Sequence, residues 1–428
     1  MNNHKATRRK EFCQIQSEIT GSDQYLVVGI DVAKDKHHAF MGTANGKALL
    51  KKLIFENNLE GFSKLLQGAE ATRVQNALDK VVFGLEPTGN YHKPLGNHLI
   101  ESGCHVVLVT GKAVKDNRRL LDGRWDKNDT KDAANVADLV SRGRCLYYDV
   151  ACAQIEQLRD LLSLRRRLKK EEHSIKMRIR NTVLAKYFPE LDRFYSACES
   201  ESLAIVRWCL DPAKIAGLDV DRFFVMVTRS RRGIAQKLRL QKIHQLAAQS
   251  VGCPMGPSAE FEAALLVQKL KQVREQIKQV EDLMQQVAGD SDQYQILLSI
   301  PGFGPYVAAE VLAAIADPLR FKASHLVVKL AGYDLCANRS GKSSDDALPV
   351  ISKNGNAQLR YALYQAAFIA SARNAHFSAY FAHVLRGRQR ERGIKTKMRV
   401  KLAAKMLIIA WTLMKKKEPF NPDYLHIE

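Results

Sequence analysis

Apolar positions change their period near residue 150, and the change separates two kinds of structure. Before it, short apolar runs alternate with helical stretches. Leu26-Val27-Val28-Gly29-Ile30-Asp31 reads as a strand ending in an acid. His38 to Met41 and Ala48 to Phe55, separated by Asn45-Gly46, read as its antiparallel partners joined by a hairpin turn. A helix follows from Leu59 to Gln67, then a strand from Val81 to Leu85 closed by Glu86-Pro87-Thr88-Gly89. A helix from Tyr91 to Ser102, a strand from Cys104 to Val109 and a helix carrying Ala133, Val136, Ala137 and Val140 complete this half. The order β-β-β-α-β-α-β-α predicts an α/β layer whose sheet is mixed at one edge and parallel at its centre. Beyond residue 150 the period becomes helical. Leu158, Leu161, Leu162, Leu164 and Leu168 form a stripe within Ile155 to Tyr187, and Glu260 to Val287 repeats the pattern, which predicts a helical, coiled-coil-like spacer. Leu191 to Pro257 between them is uneven and receives no assignment. Ile300-Pro301-Gly302-Phe303-Gly304-Pro305 reads as a tight turn between two helices, a helix-hairpin-helix or plain packing. A further helix starts at Ala357, and an amphipathic helix runs through Leu413.

Charge narrows the class of partner. The 428 residues carry 66 Lys and Arg against 45 Asp and Glu, a formal charge of +21, which points to a polyanion, nucleic acid before membrane. No apolar run has the length of a spanning helix, and residues 1–22 lack the apolar core of a secretion signal and read as a loose basic arm. Eight cysteines without a C-x-x-C pair suggest reduced thiols in a cytoplasmic protein rather than a disulfide framework or zinc ribbon.

Against this basic background the acids stand out. Asp129 and Asp132 sit three apart at a helix start, hence on one face. They read either as a capping arrangement favoured by the helix dipole or as ligands of a hard divalent cation. Asp31 and Glu86, each at the end of a strand, could join them, and four converging carboxylates suit metal-assisted phosphoryl transfer. The adjacent His37-His38 pair lacks a completing zinc ligand and reads as strand surface. Arg165, Arg166, Arg178 and Arg180 on the first long helix, the backbone at Gly302 and Gly304, and the eight basic residues between Arg386 and Lys401 are candidate phosphate contacts. Gly341-Lys342-Ser343 looks like the end of a P-loop, but Cys336 occupies the place of the required glycine.

The acidic and serine-bearing stretches together resemble the DEDD transposases of bacterial insertion sequences, the bridge-RNA-guided DNA recombinases. The motifs that carry the resemblance are Gly-Ile-Asp31-Val-Ala-Lys, Gly-Leu-Glu86-Pro-Thr-Gly and Lys-Asn-Asp129-Thr-Lys-Asp132-Ala, with Asn128 where threonine is usual. In the second half they are Ile300 to Gly304, Ala331-Gly332, Ser340-Gly341, Ile351 to Asn356 and Leu359-Arg360. The resemblance implies an RNase H-like, Holliday-junction-resolvase-like domain over 23–148 and a helical spacer over 149–290, with 191–257 unassigned. It also implies a mostly helical serine transposase domain over 291–428. Asp31, Glu86, Asp129 and Asp132 are then expected to hold Mg²⁺, and Ser340 to attack a DNA phosphate. Arg339, Lys342, Lys353 and Arg360 join the nucleic-acid contacts, a structured guide RNA is expected beside donor and target DNA, and a homo-oligomer is expected, with a site that could be composite between protomers. Two other classes stay open: a metal-dependent resolvase using water, and a non-catalytic binding scaffold.

Overall fold

The computed structural model describes residues 2–121, 129–192, 210–227, 233–336 and 349–425, without the side chains of 2–6, 119–121, 129, 130 and 424. The chain divides into two units, Met1–Val150 and Ala151–Glu428.

The first unit runs α1 (Asn2–Glu18), β1 (Tyr25–Asp31), β2 (Lys36–Thr43), β3 (Ala48–Glu56), α2 (Leu59–Gln75), β4 (Lys80–Leu85), α3 (His92–Glu101), β5 (His105–Leu108), α4 (Gly111–Leu121), α5 (Asp129–Ser141) and β6 (Leu146–Tyr147). The sheet order is β3-β2-β1-β4-β5-β6. Strands β1, β4 and β5 are parallel, while β2 and β3 pair antiparallel beyond β1. β6 pairs antiparallel with β5, so the sheet is mixed at both edges, where one was expected. A two-residue strand leaves no period to read. The basic arm is also corrected: residues 2–18 form α1, and Ile15 and, just beyond it, Ile19 are buried against the sheet. Apolar residues on this polar helix are too few to make a sequence signal.

β1 is buried along nearly its whole length, as a central strand covered on both faces should be. Leu26, Val28 and Ile30 pack with Phe62, Leu65, Leu95 and Leu99 on one face. Tyr25 and Val27 pack on the other with Ile15, Val136, Ala137 and Val140. Strand alternation continues that second face through Gly29 to Asp31, and on β4 from Val82 through Gly84 to Glu86.

The second unit begins with α6 (Ala153–Arg178), prolonged by a π-helical turn at Ile179–Leu184. Among the described residues α7 (Pro212–Ala216), α8 (Val220–Val227) and α9 (Ile234–Ala248) lead to the 33-residue α10 (Pro257–Gly289), about 50 Å long. α6 and α10 are antiparallel: Leu158 and Leu162 share a core with Val280 and Met284, whereas Ile175 and Ile179 share another with Leu270, Val273 and Ile277. The described part of 191–257 has a place in this second core, through Phe223 on α8 and Leu240 and Ile243 on α9. Then follow α11 (Asp292–Leu298), α12 (Pro305–Ile315), α13 (Ser324–Leu330), the short strands β7 (Leu335–Cys336) and β8 (Val350–Ile351), α14 (Ala357–Arg373), α15 (Ala375–Leu385) and α16 (Ile394–Lys416). The centre of α16 is buried from Leu402 to Met414, and its Trp411 indole donates to Pro318 O at 2.8 Å. No helix among the described residues is long and apolar enough to cross a membrane.

Candidate active site

Two glycines decide where α5 lies. Gly29 and Gly84 are paired across β1 and β4. A Cβ on Gly29 would fall 2.2 Å from Ala133 O and 2.5 Å from Ala137 N, and one on Gly84 would fall 2.6 Å from Val140 Cγ2. The absent side chains make a trough across the sheet, and the small residues of α5 let its backbone settle into it. Asp31 and Glu86 stand two residues beyond these glycines, on the same face, at neighbouring carboxyl ends of parallel strands. Ile30 pairs with Leu85 just before them, and the Glu86 N–H donates to Ile30 O at 3.5 Å. That is where open parallel sheets usually bind ligands.

α4 completes the surround. A Cβ on Gly111, its first residue, would lie 2.9 Å from Glu86 Oε1, so the bare backbone there makes room for the carboxylate. Asn117 is 3% exposed and donates to Asn135 Oδ1 and Asp138 Oδ2 on α5, both at 2.7 Å, while Asn135 donates to Val114 O at 2.7 Å. This buried, satisfied network clamps α4 to α5. Next to it Arg118 Nη2 lies 2.6 Å from Asp132 Oδ1, and Asp132 is 2% exposed. Asp129 opens α5, with its side chain outside the described residues. Among the described residues no three acids, histidines or cysteines come together as a metal cage. Asp31 and Glu86 thus share one sheet end, and Asp132 sits on the helix over that face, held by Arg118.

The strand-surface reading of His37 fails. Its ring is fully buried between Phe55 and Phe62, and His38 is half-buried. Burial holds the His37 pKa below its ordinary value, and Nδ1 accepts the Ala33 N–H at 3.2 Å, fixing the turn that follows Asp31.

Ser340, Arg339 and Lys342 lie outside the described residues; the paired strands β7 and β8, which precede and follow them in the chain, do not. The base of this pair is knotted together by the Ala331-Gly332 and Lys353-to-Arg360 motifs. Arg360 Nη1 donates to Ala331 O at 2.7 Å, Asn356 N to Leu330 O at 2.7 Å and Ser352 Oγ to Asp334 Oδ1 at 2.6 Å. Gly332 has φ +69°, and Gly355 approaches so closely that its Cβ would be 2.5 Å from Gly332 N, so neither position accepts a side chain.

The sequence matches a DEDD transposase profile over residues 28–189 and that of the transposase IS116/IS110/IS902 family over 294–382. The chain belongs to the IS110-type DEDD transposases. It is 24% identical over 399 residues to the insertion element IS116 uncharacterized 44.8 kDa protein of Streptomyces clavuligerus, covering 92% of this chain and 96% of that one. It is likewise 24% identical over 404 residues to the insertion element IS110 uncharacterized 43.6 kDa protein of Streptomyces coelicolor, covering 92% and 95%.

The transposase uses several of the expected phosphate contacts internally. Arg165 bridges to Glu281 on α10 at 2.7 Å and lies 4.0 Å from the centroid of the Tyr306 ring. Arg180 grips Asp192 through two bonds of 2.7 and 2.9 Å. Arg166 is half-buried and, with Arg165, moderates the upward shift that burial imposes on the Glu310 carboxyl. Gly302 packs on α14, where a Cβ would meet Ala366 O at 2.6 Å, whereas Gly304 is exposed at the start of α12. Arg178 and Lys353 are exposed. The residues that organise the transposase's acids, namely Gly29, Gly84, Asn117, Arg118 and Asn135, gave no sequence signal, because each acts through a neighbour distant along the chain. The acids themselves are all-oxygen donors suited to Mg²⁺. The deeply buried Asp132 Oδ1, met by the Arg118 guanidinium in an ion pair without hydrogen-bond geometry, is an oxygen such a cation could use.

Proposed function

We propose that the transposase cuts and rejoins DNA through Ser340 as nucleophile, with Asp31, Glu86, Asp129 and Asp132 holding Mg²⁺ in a resolvase-like domain of RNase H type. In this reading a structured RNA encoded by the element selects donor and target DNA, and the protein works as a homo-oligomer. The observation that carries it is the trough at Gly29 and Gly84, which seats the acid-bearing α5 on the sheet face and end where Asp31 and Glu86 stand. The separately knotted hairpin base, built from the same motifs that flank Ser340, adds support.

When bound, Mg²⁺ polarises the phosphate and lowers the cost of deprotonating a hydroxyl. Ser340 Oγ then forms a bond to phosphorus as a P–O bond of the strand breaks, and the hydroxyl proton ends on the leaving oxygen. Gly341 beside it presents no side chain to an approaching phosphodiester. The new phosphoester keeps the energy of the broken one, so a second strand end can displace the serine without an external cofactor. Exposed basic residues such as Arg178 and Lys353 hold backbone phosphates and leave sequence choice to base pairing with the RNA. The test is cleavage of element-end DNA with the element's transcript and Mg²⁺ by Asp31→Asn, Glu86→Gln, Asp129→Asn and Asp132→Asn. Each should cut at least about 100-fold more slowly while still retaining DNA. Acid variants that cut at the unmodified rate would overturn the assignment.

A further inference from the structure

We propose that Arg118 is a positioning residue that holds Asp132 in place of the metal and releases it when the metal arrives. The inference rests on the reading of the four acids as a metal site. A carboxylate as buried as Asp132 cannot stand without a countercharge. Arg118 supplies one at 2.6 Å, yet neither Asp132 Oδ1 nor Arg118 Nε makes a hydrogen bond among the described residues. Other arginines of this chain behave differently. Arg180 grips Asp192, and Arg388 grips Glu391, through paired bonds of 2.7 to 2.9 Å, the geometry that makes such pairs strong. At Asp132 the charge is met by one close contact on Oδ1 rather than by a paired fork, so a cation coordinating Oδ1 competes with a guanidinium held at a single oxygen.

Two further observations make the release feasible. The packing of α4 on α5 does not need the pair, because Asn117, Asn135 and Asp138 clamp the two helices independently. The Arg118 side chain is 27% exposed, so the freed guanidinium has a route to solvent or to a DNA phosphate. The pair also ties Asp132 to the third turn of α4, whereas Glu86 lies against its first residue, Gly111.

The test measures binding rather than turnover. Mn²⁺ is titrated into the full chain and free ion counted by electron paramagnetic resonance, for the unmodified protein, Asp132→Asn and Arg118→Gln. The expected result is an Asp132-dependent site that Arg118→Gln binds about tenfold more tightly, since the competing charge is gone. In the unmodified protein, phenylglyoxal labelling of Arg118, mapped by mass spectrometry, should rise as Mn²⁺ fills the site, a readout independent of how well the variant folds. Equal or weaker Mn²⁺ binding by folded Arg118→Gln, or labelling indifferent to Mn²⁺, overturns the proposal alone. Loss of any Asp132-dependent Mn²⁺ site overturns the metal reading, and the proposal with it.

Discussion

Replacing Gly29 by alanine is the smallest change that should lift α5 off the sheet. The added Cβ would lie 2.2 Å from Ala133 O and 2.5 Å from Ala137 N, both backbone atoms that no rotamer change can move. Carbon needs about 3.4 Å or more, so α5 has to withdraw by roughly 1 Å. Overpacking of this kind costs about 1–3 kcal/mol, and the upper end applies because a whole helix must shift. For a unit of this size each kcal/mol lowers the melting temperature by about 2–4 °C. Asp132 travels with α5, and a displacement of about 1 Å at reacting groups costs on the order of 100-fold in rate. Gly84→Ala should be milder, because its Cβ meets the Val140 side chain at 2.6 Å rather than backbone. Gly68→Ala in α2 is the control: its nearest neighbour, Leu53 Cδ2, is 3.4 Å away, and the helix gains about 0.5–1 kcal/mol. Thermal melts and DNA strand cleavage on the three variants provide the assay. Gly29→Ala with unmodified stability and cleavage would refute the argument that the trough seats the acids.

Glu172 on α6 accepts from Arg274 on α10 at 2.9 Å and from Lys169 at 3.1 Å. Burial pushes its carboxyl up, but these bonds, with the charges of Lys169 and Lys176, hold it below its ordinary 4.5. Its stabilising contribution is therefore full above pH 4.5 and lost as pH falls through the lower folded value. Glu172→Gln should cost about 1–3 kcal/mol at neutral pH in urea unfolding and flatten that acid limb; an unaltered limb would count against the pairing. Arg360→Ala should slow serine–DNA adduct formation by loosening the hairpin base, yet leave the salt dependence of DNA binding unchanged. A slope reduced by about one unit would instead make Arg360 a phosphate contact. For the unmodified chain, neutralising about six phosphates would give a log-affinity against log-salt slope near −5 on duplex DNA, and a flat plot would exclude a role for the basic helices.

The strands of the first unit other than the two-residue β6 were legible because each is a short apolar run, continuous where the strand is central and buried, and the acids because each closes or opens a regular element. α4 was not: Gly111-Lys112-Ala113-Val114-Lys115-Asp116-Asn117-Arg118 is polar, and beside the lone Val114 what it buries is an asparagine network rather than a periodic apolar face. α1 escaped for a similar reason, since Ile15 and Ile19 are few among polar neighbours. His37 misled because, within a polar and charged stretch, its burial depends on Phe55 and Phe62, contributed by other elements. The arginine-rich stretch of α6 showed its charge but not its use. Arg165 and Arg180 find acidic partners at Glu281 and Asp192, which no periodicity announces. Ser340 came from the resemblance alone, and its position lies outside the described residues.

Breakage of DNA strands by a serine of this chain, rather than by water, is the step on which the proposed function turns. It is tested most directly by incubating the transposase with element-end DNA, the element's transcript and Mg²⁺, digesting protein and nucleic acid, and locating any nucleotide-bearing peptide by mass spectrometry. The expected product is a phosphodiester-linked nucleotide on Ser340, absent from Ser340→Ala, which should neither cut nor join. An adduct that moves to Ser343 or Ser344, or cleavage by Ser340→Ala at the unmodified rate without any adduct, would contradict it.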